Sequence, residues 1–90
     1  MKIEKKEHLI YKEWIKAKQE GINFSQIVDR WQYIYSSSKG EISMVRFLNY
    51  FKKGDNFWEI YCLKGNLFDD VERFRVKKKA IERIKSWLNE

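Results

Sequence analysis

Residues 21–35, GINFSQIVDRWQYIY, carry the clearest start signal and the cleanest helical period in the chain. Asn23 suits an N-cap, because its side-chain oxygen can accept from an orphan backbone N–H one turn in. Gln26, three residues on, can reach back as in a capping box, and Ile22 and Ile27 fall at the two positions of a hydrophobic staple. Phe24, Ile27, Val28, Trp31, Ile34 and Tyr35 then recur on one helical face, so the spacing predicts a helix over residues 23–35.

Upstream, residues 2–20 read as a first helix. Ile3, Ile10, Tyr11, Trp14 and Ala17 lie on one stripe, and Lys16 and Lys18 sit in the last turn, where cations suit the macrodipole. Gly21 supplies a left-handed C′ position, with Ile22 following it. Two helices joined this tightly make a compact corner. Residues 17–31, AKQEGINFSQIVDRW, resemble the helix-turn-helix of bacterial and phage DNA-binding proteins through Ala17, Gly21, Ile22, Ile27, Arg30 and Trp31. Lys16, Glu20 and Arg30 depart from the apolar residues common at those positions of the family. The resemblance implies a second helix entering the major groove, with Ser25, Gln26, Arg30 and Tyr33 reaching base edges and phosphates.

Downstream, residues 36–40, SSSKG, are a loop by composition. Residues 42–51, ISMVRFLNYF, fit either state, with apolar residues on both alternating faces and a helical set at Met44, Phe47, Leu48 and Phe51. A strand is preferred, since a lone hairpin is marginal and a third strand completes a sheet. Residues 53–56 are a turn, and 57–63 a strand with Trp58, Ile60 and Cys62 on one side. Lys64-Gly65-Asn66 is a tight turn into a charged edge strand over 67–75, with Phe68 and Phe74 on one face. A last helix covers 77–89, its stripe formed by Val76, Ala80, Ile81, Ile84, Trp87 and Leu88. It lacks a good N-cap, and three lysines crowd its positive end.

The expected fold is α+β: two N-terminal helices, a small antiparallel sheet of three strands, and a C-terminal helix packed on it. The runner-up has three helices, a hairpin and a last helix, similar to a winged helix. The strand ending in RF before a helix also resembles the small sheet-plus-helix DNA-binding modules of integrases.

Ninety residues are expected to form one domain with a modest core. Aromatics make up 17% of the chain and carry much of the burial available to it. No run of apolar residues is long enough to span a membrane, and the N-terminus has no secretory pattern. With a single cysteine, Cys62, a reducing cytoplasm is the expected location. The lysine-rich, alanine-poor composition suits an AT-rich bacterium or its phage. A net charge of +6 favours encounter with nucleic acid or with an acidic protein surface.

The charge is unevenly spread. Residues 73–85 hold Arg73, Arg75, Lys77, Lys78, Lys79, Arg83 and Lys85 against one acid. Phosphate contacts need cations close together along a surface, and a strand end feeding a helix start can supply them. Tyr33, Tyr50 and Phe57 are candidates for stacking on bases. Asp69, Asp70 and Glu72 are the nearest approach to a metal site, and His8 with Cys62 the nearest to a nucleophile pair, but neither set is complete. No phosphate-cradling glycine loop is present. The expectation is therefore a small non-enzymatic nucleic-acid-binding or regulatory protein of bacterial, phage or mobile-element type, without cofactor or metal. The alternative is a protein-binding module or inhibitor that docks on a host protein through its Trp, Tyr and Arg residues.

Overall fold

Strand, not helix, forms over residues 27–28 and 31–35 of the decisive stretch. In the computed structural model, which describes residues 1–22, 27–50 and 52–89, β2 (Ile27–Val28) and β3 (Trp31–Ser37) replace the expected second helix. The cap residues Asn23 and Gln26 lie outside the described residues. The physical reason for the misreading is burial on both sides. Ile34 and Tyr35 are adjacent, point to opposite faces and are both buried. A strand covered on two faces loses the clean alternation of a half-exposed one, and its apolar run can match a helical stripe.

The first expected helix is also divided. Lys2–Glu7 is strand β1, antiparallel to β3 in a register running from Lys2↔Ser36 to Glu7↔Trp31. Charges on both faces of β1 suit an outer strand. Helix α1 (Leu9–Gln19) starts at His8, whose Nδ1 accepts from the Ile10 N–H at 3.1 Å. It ends as expected at Gly21, with φ +87°. The Gly21 N–H donates to Lys18 and the Ile22 N–H to Ala17, which satisfies two orphan carbonyls.

Strand β4 (Gly40–Leu48) settles the ambiguous segment as strand. It pairs with β3 around a two-residue turn closed by Ser37↔Gly40. Asn49, at φ +56°, stops it. The Asn49 side chain accepts from the Gly54 N–H at 2.8 Å, and its own N–H donates to Asn56 Oδ1 at 3.0 Å, which ties the following turn together. Strand β5 (Phe57–Lys64) pairs with β4, as Arg46↔Trp58 and Met44↔Ile60 show. The expected partner strand over 67–75 shrinks to β6 (Glu72–Phe74). Asp70 instead turns back to accept from the Val71 N–H at 2.7 Å.

The α+β class thus holds, with different contents. Among the described residues one N-terminal helix is present rather than two, and the sheet runs β1-β3-β4-β5-β6 rather than three strands. β2 pairs with β4 on the edge away from β5, because Phe47 faces both Val28 and Phe57. Helix α2 (Lys77–Trp87) packs on one face of this sheet. Its Ala80 and Ile84, with Leu88 just beyond it, meet Tyr35, Ile42, Met44 and Ile60 in a buried core. Val76, expected in that stripe, caps the helix instead and is exposed. The opposite face holds a buried polar contact, where Gln32 Nε2 donates to Ser43 Oγ at 2.6 Å and to the Tyr61 hydroxyl at 3.1 Å.

Candidate nucleic-acid interface

What separates the cations of the structure into two sets is whether a carboxylate pairs with them, since several of the paired arginines also lie over aromatic rings. Arginines near carboxylates form ion pairs. Arg30 meets Glu7 at 2.9 Å, Arg73 meets Glu59 at 3.0 Å, Arg75 meets Asp55 at 2.8 Å and Arg83 meets Glu72 at 3.1 Å. The bond to Glu59 also raises the Arg73 pKa above its ordinary value. These pairs divide the expected basic cluster. Arg73 lies on the face away from α2, over the Tyr50 and Phe57 rings at 5.1 Å each, whereas Arg83 lies over Trp87 at 4.7 Å on α2 itself. Lys78, Lys79 and Lys85 are exposed along α2.

The second set sits on aromatic rings and has no carboxylate partner among the described residues. On the helix side of the sheet, β1 contributes Lys5, β3 Trp31 and Tyr33, β4 Arg46, and β5 Trp58. The first residue of α2, Lys77, reaches over them. Lys5 Nζ is 4.6 Å from the Trp31 ring centroid and 6.0 Å from that of Tyr33. Lys77 Nζ is 5.1 Å from Tyr33 and 5.1 Å from Trp58. The Arg46 guanidinium lies 5.5 Å from Trp58. Among the described residues no carboxylate pairs with Lys5, Arg46 or Lys77. The three rings are half-buried.

Alternation and register build this row. Lys5 lies opposite Tyr33, Tyr33 opposite Met44, and Arg46 opposite Trp58, so all are carried on one face. The row lies at the N-terminal end of α2, whose cap residue, Val76, makes no side-chain hydrogen bond. A helix start without a capping side chain adds a positive dipole end beside these cations. A ring under a cation is worth about 0.5–1 kcal/mol at an exposed site, which holds the side chains in place weakly enough for a ligand to displace them.

Of the residues expected at the site, Tyr33 and Lys77 come together in this row. Ser25 and Gln26 lie outside the described residues. Arg30 precedes β3, bound to Glu7 and over Trp31 at 4.8 Å, so a recognition helix is not formed by residues 27–37. Lys5, Trp31, Arg46 and Trp58 were missed. The WQY alternation of residues 31–33 was the available signal, but Lys5 and Arg46 join it only through strand pairing.

Among the described residues no three His, Cys, Asp or Glu side chains gather to hold a metal. Glu72 is engaged by Arg83 and by the Trp87 indole N–H at 3.4 Å. His8 is buried as a helix cap, and burial, with the charge of Lys6 second, lowers its pKa from 6.5. The Cys62 thiol donates to the Lys64 and Gly65 carbonyls at 3.2 and 3.1 Å. Among the described residues no helix is long and apolar enough to cross a membrane. No family model, curated protein or solved structure matches the chain.

Proposed function

We propose that the chain is a non-enzymatic nucleic-acid-binding protein that takes phosphates on Lys5, Arg46 and Lys77. The observation that carries this reading is the division of cations just described. Arginines held by carboxylates have their charge compensated, whereas the three on the aromatic row do not. Lys78, Lys79 and Lys85 add attraction from the exposed side of α2, in keeping with the net charge of +6.

The test is a titration by fluorescence polarisation across salt concentrations. Three phosphate contacts on a single strand give a slope of log K against log salt of about −2. Affinity then falls about 20-fold between about 50 and about 200 mM salt. Replacing Lys5 or Lys77 by Ala flattens the slope by about 0.7, one contact's share. Arg73→Ala and Arg83→Ala leave it unchanged. Absence of binding at low salt, or a slope governed by the paired arginines, rejects the reading.

A protein partner is favoured by a different observation. Helix α1 has no buried residue, and Leu9, Ile10 and Ile22 are exposed about it, with Ile3 exposed on β1. Exposed large apolar side chains are a common feature of docking surfaces. Capture of a protein from host lysate that survives nuclease and is lost in Leu9→Glu/Ile10→Glu supports this second reading. Nuclease-sensitive capture counts against it.

A further inference from the structure

We infer that the nucleic acid taken by this row is single-stranded, with bases stacking on Tyr33 and Trp58 while their flanking phosphates meet Lys5, Lys77 and Arg46. The inference rests on the proposed function and names its ligand. Its basis is an alternation in space. The side chains run Lys5, Tyr33, Lys77, Trp58, Arg46, with each ring between two cations at 5.1–6.0 Å. A nucleotide strand has the same order, since each base lies between two phosphates along its backbone. Trp31 extends the row past Lys5, at 4.6 Å from it.

A duplex does not use this arrangement. Its base faces are stacked internally, and its base edges are read by an element that enters a groove, such as a helix or a two-stranded ribbon. Residues 31–37 are held inside the sheet between β1 and β4 and cannot enter one. Half-buried rings on a sheet floor can meet only bases that are already unstacked. The flexible stems of Lys5 and Lys77 allow their ammonium groups to leave the ring faces for phosphate as a base arrives. Stacking is tolerant of base identity, because every base has a π face, so little sequence preference is expected.

The experiment compares oligothymidylate, oligouridylate and a duplex of equal length on the full chain. Both single strands are expected to bind more tightly than the duplex. Trp58→Leu keeps an apolar side chain against the core and is expected to weaken single-strand binding about 5- to 150-fold, with the salt slope retained. Trp58→Phe restores most of the loss, and duplex binding is unchanged in both. A second measurement does not depend on the folding of Trp58→Leu. With Trp14, Trp31 and Trp87 replaced by Phe, Trp58 is the remaining indole, and single-strand binding is expected to quench its fluorescence. Equal affinity for duplex and single strand, an equal loss for both in Trp58→Leu, or binding without quenching overturns the inference while leaving the phosphate-binding reading in place. Failure to bind either form at low salt removes both.

Discussion

Gln32 offers a direct check on the strand that stands where a helix was expected. In the helical reading it falls off the apolar stripe and faces solvent, so Gln32→Leu would be almost neutral. In the structure it is 8% exposed on β3, and its amide donates to Ser43, which is 0% exposed on β4, and to Tyr61 on β5. Gln32→Leu removes the donor and leaves a fully buried hydroxyl short of a partner. Ser43→Ala removes the nearer of the two acceptors of the amide. Each change is expected to cost about 1–3 kcal/mol, the desolvation of a group left unsatisfied. In a domain of this size each kcal/mol lowers Tm by about 4–8 °C. The double variant, with both polar ends gone, is expected to be less destabilised than the sum, with a coupling of about 1 kcal/mol or more. Urea denaturation of the four species measures that coupling. A nearly neutral Gln32→Leu with additive energies would refute the pairing of β3 with β4.

His8 accepts through Nδ1, and its depressed pKa means that the unfolded chain takes up a proton before the folded one does. Stability relative to His8→Asn, which keeps a capping oxygen, is therefore level above about pH 6.5 and declines as pH falls below it. Denaturation midpoints of the pair that move in parallel between about pH 8 and about pH 5 would contradict this. Ile84 is fully buried between α2 and the sheet, so Ile84→Ala is expected to cost about 2–5 kcal/mol by urea denaturation, and a cost below about 1 kcal/mol would place α2 elsewhere. Gly40 has φ +153°, and a Cβ there would press into the Lys64 carbonyl and lie 3.2 Å from the Leu67 side chain. Gly40→Ala is expected to lower stability by more than about 1 kcal/mol, and a neutral or stabilised variant, read by thermal melting, would show that the β3–β4 turn differs.

Much of the C-terminal half was legible because its signals are local. Gly65 and Asn66 mark the end of β5, Trp58, Ile60 and Cys62 alternate along it, and the α2 stripe at Ala80, Ile84 and Leu88 reaches the core as spaced. Gly21 likewise ended α1 as read, because a left-handed position is a property of one residue and its neighbours. The second helix failed for a reason that is not local. Cap, staple and period all agreed over residues 21–35, yet helix periodicity and two-sided burial produce similar apolar runs there, and the second depends on which elements cover each face.

The candidate site divides along the same line. By itself the sequence determined the class, the excess of positive charge, the abundance of aromatic side chains and the punctuation by glycine, all of which follow from composition or from residues a few positions apart. Tertiary structure alone decided which cations are compensated. Glu7 on β1 reaches Arg30 just ahead of β3 and Glu59 reaches Arg73 across strands, whereas Lys5, Arg46 and Lys77, from three separate elements, converge on Tyr33 and Trp58. Charge interaction depends on distance in space, and strand pairing sets that distance between residues tens of positions apart.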